Sequence, residues 1–140
     1  MSFFISREEH VDYKKIGHEF CLKYYNDIEF NGYASISQYY YTNAFISYMG
    51  KEYDNINTLT TELNNINVSH MSVNNIFGTN QPFHDKNQIL INTTGNFCLK
   101  KKDNTFINLN GRNSFSDTFV IKFDNQMQKW LILNHIFKQI

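Results

Sequence analysis

Two hydrophobic rhythms divide the chain. Up to about residue 66, large apolar side chains recur at helical spacing, and beyond Val68 they alternate with polar ones at the period of a strand. The first run opens on Ser6, Glu8 and Glu9, where Ser6 can cap a helix and Glu9, three residues on, completes a capping box. A helix is therefore predicted over residues 6–28. Ile16, Phe20, Tyr24 and Ile28 form its apolar stripe, joined by Tyr13 and Cys21, while Lys14, Lys15, Glu19 and Lys23 form its polar side. Asn31-Gly32 ends the pattern. Ser35 with Gln38 is a second capping box, predicting a short helix over 35–41. A strand fits 44–49, ending at Gly50, and Asn57 caps a third helix over 57–65 carrying Leu59 and Leu63. Strands are then predicted over 68–77, 88–102, 105–110, 114–123 and 129–137, with a long exposed loop at 78–85 around Pro82.

Helices first and strands afterwards predict an α+β architecture: a curved, cone-shaped antiparallel sheet packed against three N-terminal helices, with an apolar pocket inside the cone. At 140 residues the chain fits a single domain over 1–140. Its 13 basic and 13 acidic residues cancel, so no global field draws nucleic acid, acidic substrates or an anionic membrane. The first residues lack a signal-peptide pattern, and no window approaches the ~18 apolar residues of a membrane span, which predicts a protein of the cytosol or nucleus. Cys21 and Cys98 are too few and too far apart for a disulfide scaffold, so buried thiols are expected and the sequons at Asn67 and Asn92 are incidental. Of His10, His18, His70, His84 and His135, no two stand four apart on a helix; neither metal nor cofactor is expected.

Four segments carry a resemblance. Residues 16–25 read Ile-Gly-His-Glu-Phe-Cys-Leu-Lys-Tyr-Tyr, a G-x-x-F-x-x-x-Y-Y pattern. Residues 115–121 read Phe-Ser-Asp-Thr-Phe-Val-Ile, and 130–138 read Trp-Leu-Ile-Leu-Asn-His-Ile-Phe-Lys. Between them lie Tyr40-Tyr41 through Gly50, then Tyr53, Leu59, Leu63 and Ile66. In this order and spacing they resemble the nuclear transport factor 2 family over nearly the whole chain. The resemblance implies a non-enzymatic module that dimerises through its sheet, with itself or with a related domain. It also implies docking of Phe-containing peptides such as nucleoporin repeats during protein import or mRNA export, in cytoplasm, nucleus and nuclear envelope. The implied peptide-binding residues are Phe20, Tyr40, Tyr48 and Trp130.

The positions where the import factor proper presents acids to Ran-GDP fall here on Met49, Lys100 and Lys102, neutral or positive residues that argue against that partner. A stress-granule-type scaffold binding Phe-rich motifs is the nearest alternative. A cavity enzyme of the same fold is another, with Asp117 as its base: it shares strand parity with Phe115, Phe119 and Ile121 and so points into an apolar face. The family carries Gln at that place, which favours a structural, hydrogen-bonding Asp117. His135 stands where the family has Asp. Lys100, Lys101, Lys102 and Arg112 form a basic cluster, read as a solvated turn, a guard on an edge strand, or a contact for phosphate or an acidic partner.

Overall fold

A computed structural model describes residues 12–140. The Ser6–Glu9 capping box lies outside the described residues. Within them the helix α1 spans Tyr13–Asn31, capped by Asp12, whose Oδ1 accepts from the Lys15 N–H at 3.2 Å. It buries Gly17, Cys21, Tyr24, Tyr25 and Ile28, a stripe at helical spacing, and leaves Phe20 on the flank. A 3₁₀ helix follows at Tyr33–Tyr39. There Gln38 Nε2 donates to the Ser35 carbonyl instead of closing the expected capping box, and Ser35 Oγ donates to the Gly32 carbonyl. The strands and remaining helix are β1 (Tyr40–Tyr48), β2 (Lys51–Tyr53), α2 (Ile56–Asn65), β3 (His70–Phe83), β4 (Asp85–Lys100), β5 (Ser114–Asp124) and β6 (Lys129–Gln139). The cap of α2 is Asn55, two residues before the one expected; its Oδ1 accepts from the Thr58 N–H at 2.9 Å.

All six strands form one curved, unclosed sheet in the order β2-β1-β6-β5-β4-β3. The expected purely antiparallel sheet is corrected at one seam: β1 runs parallel to β6, because β1 enters from the helices and not from a hairpin with its neighbour. Two further expectations fail. The segment 78–85 is not a loop: residues 78–83 end β3, paired with β4 as far as Phe83 opposite Asp85, and only His84 lies between the two strands. Residues 105–110 are not a strand; a lone bridge joins Phe106 to Lys100, and Ile107 and Leu109 instead fold back to pack against the core.

The inner face of the sheet carries Ile89, Ile91, Phe115, Phe119, Ile121, Ile132 and Phe137, and it meets the buried sides of α1 and the 3₁₀ helix. Among the described residues, no helix packs on the outer face. Reading across the register, Gln81, Leu90, Val120, Asn134 and Phe45 make one row, and Thr79, Asn92, Thr118, Ile136 and Ser47 the next. Asn92 Nδ2 donates to Thr118 Oγ1 at 3.0 Å and to Ser116 Oγ at 3.4 Å, fixing a polar ladder at the centre of a face whose Phe45 and Ile136 are exposed.

The β1–β2 turn stores strain. Met49 and Gly50 sit at φ 51° and 84°, the doubly positive pair that a primed two-residue hairpin demands, and a methionine holds this conformation at a cost that asparagine largely avoids. Met49→Asn is expected to raise the urea unfolding free energy by up to about 1 kcal/mol without changing the m-value.

Candidate functional site: an aromatic groove over a sealed polar chain

On α1, Ile16, Glu19, Phe20 and Lys23 follow one another at three- and four-residue intervals, so they share a helix face that the core does not use. That face forms one wall of a surface groove of about 440 Å³. Gln38 and Tyr39 from the 3₁₀ helix and Phe123, Gln128, Lys129 and Trp130 from the β5–β6 hairpin complete it. Two aromatic pairs shape it. The Phe20 ring meets the edge of Tyr39 with centroids 5.9 Å apart, and Phe123, opposite Trp130 in the strand register, meets it edge-on at 5.5 Å. Beneath, Phe20 rests on Tyr24 at 6.3 Å and on the edge of Phe119 at 6.3 Å. Tyr39 is fixed by donating its hydroxyl to Asp27. The rim carries Glu19, Lys23 and Lys129, and among the described residues neither lysine forms an ion pair.

Of the four expected peptide-binding residues, Phe20 and Trp130 line this groove and two do not. Tyr40 is buried and its neighbour Tyr39 takes the wall position; Tyr48 is buried too, stacked on Phe137 at 4.9 Å with its hydroxyl bonded to that of Tyr33. The three consecutive tyrosines face three ways. Tyr39 ends the 3₁₀ helix toward the groove, Tyr40 begins β1 pointing inward, and Tyr41 reaches over β6 to donate to the Lys122 carbonyl at 3.4 Å. Sequence reasoning missed Tyr39 and Phe123. For Phe123 a signal existed, since it shares strand parity with Phe119 and Ile121 at the hairpin end.

Met49, Lys100 and Lys102 are not brought together. Met49 follows β1 and Lys100 ends β4, with β6 and β5 between them, a separation of at least about 14 Å at the usual strand spacing. The Lys100 ammonium lies 5.2 Å from the Phe106 ring centre, and Lys102 sits in an exposed turn where its N–H donates to Asn67 Oδ1 at 3.2 Å. Arg112 is exposed in the connection before β5.

Asp117 points inward as expected, into a closed hydrogen-bonded chain. Its Oδ2 accepts from Tyr25 Oη at 2.8 Å, and its Oδ1 accepts from His135 Nε2. His135 Nδ1 lies 2.8 Å from Tyr40 Oη, which lies 2.5 Å from Tyr24 Oη. One proton assignment satisfies every atom: Tyr24 donates to Tyr40, Tyr40 to His135 Nδ1, and the His135 Nε2–H to a carboxylate that also receives the Tyr25 hydroxyl. Asp117 is 0% exposed and His135 2%, with the Phe119 ring stacked on the imidazole at 4.3 Å. Burial, before any neighbouring charge, holds the Tyr24, Tyr25 and Tyr40 hydroxyls well above the ordinary phenol range. Among the described residues, both carboxylate oxygens of Asp117 are thus engaged by buried side chains. Among the described residues no cluster of three or more His, Cys, Asp or Glu could hold a metal ion, and no helix is long and apolar enough to cross a membrane.

A three-helix layer on a curved, unclosed mixed sheet, with this aromatic groove, is the nuclear transport factor 2-like α+β cone. The chain superimposes on nuclear transport factor 2 from Cryptosporidium parvum with a TM-score of 0.69 at 17% identity, covering 90% of this chain and 93% of that one. It matches the yeast Ubp3-associated protein Bre5 at 0.65 and 17%, over 89% and 94%, and Mtr2 at 0.62 and 13%, over 91% and 99%. A scytalone dehydratase-like protein from Novosphingobium aromaticivorans, 7% identical, shares the fold as well. At such identities the likeness establishes the fold, and function is argued from the site. No family model and no curated protein matches the sequence.

Proposed function

We propose that the chain is a non-catalytic, dimerising adaptor of nucleocytoplasmic traffic, in protein import or mRNA export, working between cytoplasm and nucleus and at the nuclear envelope. Its groove takes a Phe-containing peptide such as a nucleoporin repeat. The observation that carries this reading is the pairing of Phe20–Tyr39 with Phe123–Trp130 around one open groove, a geometry that accepts a single aromatic side chain edge-on from either wall. Lys23 and Lys129 on the rim, without an ion-pair partner among the described residues, favour a motif whose Phe is flanked by acids, as a stress-granule-type scaffold would bind. The outer face, where Phe45 and Ile136 are exposed beside the Asn92 ladder, offers the area for pairing with a second copy or a related domain. Catalysis through Asp117 is disfavoured because its carboxylate is consumed by His135 and Tyr25. Ran-GDP remains disfavoured by Met49, Lys100 and Lys102, which bring no acid to a basic partner.

Trp130 is the single tryptophan, so its emission reports the groove directly. Titration with Phe-Gly repeat and Phe-Gly-Asp-Phe type peptides is expected to give a saturable change. Anisotropy of a labelled peptide is expected to show binding weakened by about tenfold or more in Trp130→Ala. Absence of binding by both peptides at several hundred micromolar overturns the reading.

A further inference from the structure

A second cleft lies at the other end of the helical layer, between the 3₁₀ helix, α2 and the start of β3, with a volume of about 410 Å³. Its wall is made by Asn57, Thr60, Thr61 and Asn64, which stand at i, i+3, i+4 and i+7 and so form one unbroken face of α2. Ser37 and His70 face them. The lining contains no Asp, Glu, Lys or Arg, although the chain carries 13 residues of each sign. Glu62, the acidic residue of α2, is committed elsewhere, 2.6 Å from the Lys51 ammonium. Among the described residues the side chains of Ser37, Asn57, Thr61 and Asn64 have no protein hydrogen-bond partner, which leaves hydroxyls and amides, each able both to donate and to accept, directed at one space.

Three apolar residues, Tyr33, Ala34 and Val68, complete the lining, and Tyr33 and Val68 are themselves buried. The floor is held bare by Gly32, at φ 83°, where a Cβ would come 2.7 Å from the Ser69 carbonyl oxygen. That same carbonyl accepts the Tyr33 N–H at 2.8 Å, so the backbone cannot withdraw to make room.

We propose that this cleft binds a neutral saccharide. An ionic ligand would meet no Asp, Glu, Lys or Arg there. A saccharide presents hydroxyls that donate and accept in the same ring, matching a lining of Asn amides and Thr and Ser hydroxyls without leaving a buried charge. The site is independent of the aromatic groove, which lies against the first half of α1 and the β5–β6 hairpin.

The test is a ¹H–¹⁵N titration of the full chain with glucose, N-acetylglucosamine and cellobiose into the millimolar range. The expected result is saturable shifts at Gly32, Asn57, Thr61, Asn64 and His70 for at least one sugar, with the Trp130 indole signal unmoved. Thr61→Lys keeps a helix-compatible residue at an exposed position, so the rest of its spectrum should stay in place while affinity falls about tenfold. Thr61→Ser should retain binding. Linear, non-saturating drift for all three sugars, or a Thr61→Lys variant that titrates like the parent, overturns the assignment.

Discussion

Asp117→Leu is expected to lower the unfolding free energy by about 3–5 kcal/mol in urea titration, the largest effect of any single polar substitution in the chain. The change strands two buried donors, the Tyr25 hydroxyl and the His135 Nε2–H, and each loses the oxygen that satisfied it. Asp117→Asn should cost less, since the amide keeps one acceptor and its NH₂ opposes only one of the two donors. Removing the stranded donors as well, with Tyr25→Phe and His135→Leu in the Asp117→Leu background, should recover part of the loss. Apolar groups of similar volume remove the two stranded donors, and the recovery is partial because the Tyr40 hydroxyl loses its His135 Nδ1 acceptor. If Asp117→Leu were neutral, the sealed chain from Tyr24 to Asp117 would not be what organises the interior.

Raising the pH should unfold the protein in one steep step between about pH 10 and pH 12. Burial holds the hydroxyls of Tyr24, Tyr25, Tyr33, Tyr40 and Tyr48 above the ordinary phenol range, and it pushes the Cys21 thiol up to about 12. The sign follows from the proton count. Above the unfolded values the unfolded chain has released these protons while the folded chain keeps them, so the unfolded state binds fewer and stability falls as pH rises. The contribution is fully present below the unfolded pKa values, near 9 for the thiol and 10 for the phenols, and is lost progressively above them. Each group costs about 1.4 kcal/mol per pH unit, so five tyrosines remove a stability of about 5–15 kcal/mol within one to two units. Phenolate absorbance at alkaline pH, followed together with circular dichroism, checks this: the buried hydroxyls should ionise only as the dichroism collapses. Gradual ionisation of all nine tyrosines with the dichroism unchanged would contradict the packing around Tyr24 and Tyr40.

Much of the fold was legible along the chain. The period-four stripe Ile16, Phe20, Tyr24, Ile28 marks α1, the alternation beyond Val68 marks a sheet, and Gly and Asn mark most of its turns. The errors fall where a local pattern has two readings. Gly78 and Pro82 look like loop residues, yet they sit in an edge strand that needs no outer partner for its missing donor. Residues 105–110 alternate like a strand, but Ile107 and Leu109 are half-buried by folding back on the core, with a lone bridge from Phe106 to Lys100 in place of a ladder.

The candidate site was half legible for a related reason. Phe20 and Trp130 could be named because each lies in a regular element whose exposed and buried sides follow from its period. Tyr39, Tyr40 and Tyr41 straddle the junction of a 3₁₀ helix and a strand, where one period stops and another begins, and identical side chains in sequence give no phase. By itself, then, the sequence determined the helices, most of the strands, their order and the inward direction of Asp117, since these depend on periodicity and capping within a few residues. Tertiary structure decided which tyrosine faces the groove, that Asp117 is sealed against His135, that β1 runs parallel to β6, and that a charge-free cleft opens beside α2. Each of these depends on contacts between residues far apart in the chain, whose geometry is fixed only when the helices settle on the sheet.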